Sequence, residues 1–147
     1  MKIDQLLGDT VIFTLDIIEI TQKMVPRSVP EFANMLGGKA ERLVDLNNAH
    51  FENYRIVDHD LGAMTYINVS CPFKWGYYRF EFTLHNSRID YQSVTDKYGK
   101  PNAENTGTNP PYYAYIEYEV DDMCLIFTFN TSSLQPQSKV IKLLVML

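Results

Sequence analysis

The sequence predicts an α+β fold: one curved antiparallel sheet with short helices on one face, built from two helix-plus-antiparallel-hairpin repeats. Three observations carry this. Residues 112 to 130, YYAYIEYEVDDMCLIFTFN, alternate on either side of Asp121-Asp122 as two strands joined by a tight turn do. Two short segments carry helix start and stop signals, Ser28-Val29-Pro30-Glu31 before Gly37-Gly38, and Asp90 before Gly99-Lys100-Pro101. The elements then recur along the chain in one order at one spacing.

With the turn at Asp121-Asp122, Val120 faces Met123, Tyr118 faces Leu125, Ile116 faces Phe127 and Ala114 faces Phe129, so one side of the hairpin is apolar. The other side carries Tyr113, Tyr115, Glu117 and Glu119 beside Cys124, Ile126 and Thr128. A slip of one residue would bury both glutamates, and the cost of desolvating them fixes the register.

From the amino terminus, residues 10–24 hold VIFTLDIIEITQK, rich in β-branched residues, and read as a strand region with a change of phase near Asp16. Ser28 caps a helix from Val29 to Leu36 that buries Phe32, Met35 and Leu36. Residues 39–53 read as a polar connection. YRIVDHDLGAMTYIN reads as a hairpin turning between Asp58 and Gly62, Cys71-Pro72 as the start of a turn, and GYYRFEFTL as a strand with Tyr78, Phe80, Phe82 and Leu84 on one face. The other face of that strand holds Tyr77, Arg79 and Glu81, with Trp75 just before it. Asp90 caps a second helix over Tyr91 to Tyr98, residues 102–111 form a loop, the hairpin follows, and KVIKLLVML closes the chain as a strand.

A single shift overlays the two halves without a gap: Ser28 falls on Asp90, Phe32 on Val94, Gly37 on Gly99, Tyr54 on Ile116, Leu61 on Met123, Ile67 on Phe129 and Asn68 on Asn130. Pseudo-repeats over 28–84 and 90–147 follow, within a single domain spanning 1–147.

Composition narrows the function. A net charge of −5 and a pI near 5.1 leave no basic surface for phosphates, so nucleic acid is not a direct ligand, and an acidic chain attracts basic partners instead. No run of about 18 apolar residues spans a membrane, and Asp4 and Asp9 interrupt the start of the chain where an export signal would be apolar. The expectation is a cytoplasmic protein with no membrane contact. Cys71 and Cys124, the two cysteines, form neither a zinc pattern nor a disulfide framework.

No catalytic, cofactor or metal residues emerge. His59 between Asp58 and Asp60 is the one suggestive spot among His50, His59 and His85, but a polar hairpin tip is the ordinary place for such residues. No nucleophile elbow, phosphate loop or dinucleotide fingerprint is present. The sequence reads as a non-enzyme. Tyr113, Tyr115, Glu117, Glu119, Asp121 and Asp122, with Trp75, Tyr77, Arg79 and Glu81 expected on a neighbouring strand, make a surface of residue types favoured at interface hot spots. Either a partner docks there, or a helix covers it, or the tyrosines simply shield a solvated sheet.

The order of a helix, Tyr98-Gly99-Lys100-Pro101, a polar loop, a Tyr-led strand, a hairpin with an apolar return strand and a lysine-flanked last strand resembles the unit of the small outer-membrane assembly lipoproteins and of the beta-lactamase inhibitor protein family, where it occurs twice. Residues 90–147 carry the resemblance best and 28–84 more weakly; Gly38-Lys39 stands in the first unit where Lys-Pro stands in the second, and no lipidation cysteine lies near the amino terminus. The chain is also similar in size and acidity to bacterial immunity proteins against secreted or contact-delivered toxins, and its Asp58-His59-Asp60-Leu61-Gly62 turn looks like sequences among them. These likenesses imply a non-catalytic protein-binding scaffold that grips its target with the exposed sheet face. The expected function is inhibition of a basic, nuclease-type toxin by covering its active site. An assembly accessory is the alternative, and a small hydrolase or ligand-binding domain comes third.

Overall fold

A computed structural model describes residues 21, 28–44, 51–59, 64–72, 78–85, 87–120 and 123–147. Eight strands form one open antiparallel sheet: β1 (Lys39–Arg42), β2 (Phe51–Val57), β3 (Met64–Pro72), β4 (Arg79–Leu84), β5 (Ala103–Thr106), β6 (Ala114–Val120), β7 (Met123–Phe129) and β8 (Val140–Met146). Their order in the sheet is β1-β2-β3-β4-β8-β7-β6-β5. Two helices described over their full length accompany it, α1 (Val29–Met35) before β1 and α2 (Tyr91–Tyr98) before β5. The first four strands and the last four therefore meet at the β4–β8 pair, and the short strands β1 and β5 form the two edges.

Local chemistry sets the helix ends. Ser28 Oγ accepts from the Glu31 amide at 3.3 Å, and Pro30 occupies the first turn. At the other end Gly37, at φ 75°, donates to Asn34 O at 3.0 Å while Gly38 donates to Ala33 O at 2.9 Å, the paired bonds that close a helix through a left-handed residue. Asp90 caps α2 by accepting from the Ser93 amide at 2.8 Å and the Ser93 hydroxyl at 2.6 Å. Burial works to raise the Asp90 carboxyl, but these bonds and the Lys139 ammonium 3.8 Å away outweigh it and hold the group below its usual range.

The hairpin register is the one the alternation requires: Val120 pairs with Met123, Tyr118 with Leu125 and Ile116 with Phe127. Ala114, Ile116, Tyr118, Met123, Leu125, Phe127 and Phe129 are all buried. Both helices pack on this core face. The Phe32 ring of α1 meets Phe80 edge-on with centroids 5.0 Å apart, and from α2 the Tyr91 ring meets Phe129 at 5.7 Å. Phe82, Ile67, Leu143 and Val145, fully buried on the central strands, complete the core.

Two strands stand where the sequence reads as connection. Lys39-Ala40-Glu41-Arg42 pairs with β2 and Ala103-Glu104-Asn105-Thr106 with β6, each held by a neighbour's ladder and not by an apolar pattern of its own. Cys71 does not begin a turn; it lies in β3 and packs against the core. Met35, expected in the core, is 48% exposed. The strand region expected at 10–24 lies outside the described residues apart from Thr21, which is helical and buried.

Candidate protein-binding face

Strand alternation puts the residues that do not enter the core on the opposite side of the sheet, and the ladder registers arrange them in rows across it. One row runs Glu41, Arg55, Asn68, Glu81, Leu144, Ile126, Glu117 and Ala103 from edge to edge. The next runs Asn53, Ser70, Arg79, Met146, Cys124 and Glu119. Of the site residues drawn from the sequence, Tyr115, Glu117, Glu119, Arg79 and Glu81 share this face. Glu119, Arg79 and Tyr113 are exposed, and Tyr115, Glu117 and Glu81 are half-buried. Trp75, Tyr77, Asp121 and Asp122 lie outside the described residues.

The expected adjacency fails. β4 does not neighbour β6, because β8 and β7 stand between them. Three strand spacings separate Glu81 from Glu117, about 14 Å. The gap is filled by Leu144, Met146, Ile126 and Cys124, all half-buried, an apolar stripe down the middle of the face. The face therefore has three lanes, and the acidic one is confined to β6.

The third lane, on β2 to β4, is polar with two guanidinium groups. Arg55 Nε donates to Asn68 Oδ1 at 3.1 Å and its guanidinium lies 4.7 Å from the centre of the Tyr66 ring; Ser70 Oγ donates to Asn53 Oδ1. Arg55, Asn53, Asn68 and Ser70 were not singled out from the sequence, although the alternation of Asn53, Arg55 and Val57 with Tyr54 and Ile56 is visible in it. The stripe had no such signal, since LLVM supplies apolar residues to both faces of β8.

The electrostatics of the thiols argue against reactivity. Burial, with Glu52 adding its charge, pushes the Cys71 thiol up to about 11. Burial and then Glu117 and Glu119 raise Cys124 as well. His59 sits at the β2–β3 turn after Asp58, which adopts φ 57°, and His85 borders a separate depression of about 510 Å³ with Ser87, Asn130 and Lys139. Among the described residues no three His, Cys, Asp or Glu side chains converge as a metal site, and no helix is long and apolar enough to cross a membrane.

No family model, curated protein or solved structure matches the chain.

Proposed function

We propose that this chain is a protein-binding inhibitor, an immunity protein that sets the β6 side of its open sheet face against a basic, nuclease-type toxin and covers the toxin's active site. The observation that carries the reading is the lane of Tyr115, Glu117 and Glu119 beside the half-buried stripe of Ile126, Leu144, Cys124 and Met146, on the sheet face away from both described helices. Carboxylates there speed encounter with a cationic cleft, and the tyrosine and the stripe supply apolar contact that slows release. Under the same proposal the chain is a tandem duplication. In support, each described helix is followed by four strands, and the strand order reads alike from either edge inward to β4 and β8.

The test is capture of the tagged chain's partner from the native organism, its identification by mass spectrometry, and binding kinetics with face variants. The expected partner is a basic enzyme that loses activity when bound. Reversing Glu117 and Glu119 to Lys slows association roughly tenfold. Tyr115→Ala weakens binding by about 2 kcal/mol through faster release. Binding untouched by all three changes overturns the proposal.

A further inference from the structure

The polar lane contains a depression of about 190 Å³ whose polar lining is Asn53, Asn68, Ser70, Arg79 and Glu81. Leu43, following the edge strand β1, and Leu144 on β8 bound it from opposite sides. Its chemistry is dipolar. Arg79 and Glu81 are two apart on β4, so their Cα atoms lie about 7 Å from each other on one face of the sheet. The ion pairs among the described residues are Arg42–Glu52 and Asp90–Lys139, so Arg79 and Glu81 form no direct ion pair with each other. The amide of Asn68 accepts from Arg55 through its Oδ1, which keeps its NH₂ half a donor, and the amide of Asn53 is fixed by Ser70.

The volume is smaller than the several hundred Å³ of sites for drug-sized ligands. It suits a ligand of one amino acid. A side chain of a docking protein does not carry both charges on adjoining atoms, and would leave either Arg79 or Glu81 unanswered. We propose that this depression binds a free α-amino acid with a small or aliphatic side chain. Its carboxylate accepts from Arg79 and the Asn68 amide, its ammonium donates to Glu81, and its side chain lies against Leu144. This site goes beyond the protein-docking reading and stands whether or not a protein docks on β6.

The test is titration of the intact chain with L-leucine, L-alanine and glycine, followed by calorimetry and by the side-chain amide NMR signals of Asn53 and Asn68. At least one amino acid is expected to saturate with a Kd of about 1 mM or tighter, within the limit for so few atoms, and to move the Asn68 signal. The N-acetyl and carboxamide derivatives of that amino acid are expected to bind at least tenfold more weakly, as are Arg79→Met and Glu81→Gln at unchanged Tm. Should Arg79→Met melt early, Arg79→Gln takes its place. Absence of saturation by all three amino acids overturns the proposal. So does an N-acetyl derivative as tight as its parent, which marks a simple anion site, and so does unchanged affinity in both variants.

Discussion

Replacing Tyr118 by Phe asks how far one hydroxyl ties α2 to the sheet. The Tyr118 ring is 2% exposed, with the Tyr98 ring centroid 5.3 Å away and that of Phe127 at 6.1 Å. Its hydroxyl donates to Gly99 O at 2.8 Å, the carbonyl at the end of α2. Phe keeps every ring contact, so the change removes a single hydrogen bond, worth about 1 kcal/mol. Gly99 is exposed and water can replace the lost donor, which places the effect toward the low end of that range. For a chain of this size the Tm should fall by about 2–4 °C. The same hydroxyl also has a signature in pH. Burial first, and then Tyr91 and Glu104, push its pKa from 10.0 up to about 12. The folded protein holds this proton longer than the unfolded chain does. The corresponding stability is complete below pH 10 and is lost as pH rises toward 12. Urea melts of both proteins from neutral pH to pH 11 should show the wild type ahead at neutral pH and the gap narrowing above pH 10. Equal stability at neutral pH, or a gap that stays constant through the alkaline range, would refute the reasoning.

Two further changes test other parts of the fold. At Gly38 an added Cβ meets the Val57 carbonyl at less than contact distance, with the His59 backbone close behind, so Gly38→Ala should cost about 1–3 kcal/mol in chemical denaturation. The Cys71 thiol, held at about 11 against an ordinary 9.0, should react with iodoacetamide about 100-fold more slowly in the folded protein than in urea at pH 8. Labelling at the rate of a free thiol would show that the core around β3 opens readily.

The parts of the fold legible in the sequence are those that local chemistry decides alone. The hairpin register follows from alternation and from the cost of burying Glu117 and Glu119, and the helix limits follow from Ser28, Asp90 and the glycines that end each helix. β1 and β5 escaped because Lys-Ala-Glu-Arg and Ala-Glu-Asn-Thr have no strand pattern; their backbones are strands because β2 and β6 offer them unpaired hydrogen-bonding edges. Short and polar, they also suit the edges of an open sheet, where a longer apolar strand would invite pairing with another chain.

Alternation places Tyr115, Glu117, Glu119, Arg79 and Glu81 on one face, as the sequence implies, but not next to one another. Glu81 and Glu117 do point to one side of one sheet, but the pairing that separates them, Phe80 with Val145 and Phe82 with Leu143, joins segments more than 60 residues apart and leaves no trace in local periodicity. That insertion has a chemical consequence. With β8 and β7 between them, the carboxylates of β6 are kept apart from Arg55 and Arg79 by an apolar stripe, and the β2 to β4 side carries both signs, Arg55 and Arg79 with Glu41 and Glu81. Under the docking proposal a basic partner meets carboxylates alone on β6, Glu117 and Glu119, and mixed charge on β2 to β4, which favours approach over β6 and leaves the depression at Arg79 and Glu81 accessible. If both proposals hold, one sheet face takes a protein and a small dipolar ligand at once, and the strand order, with β8 and β7 between β4 and β6, is what keeps the two sites apart.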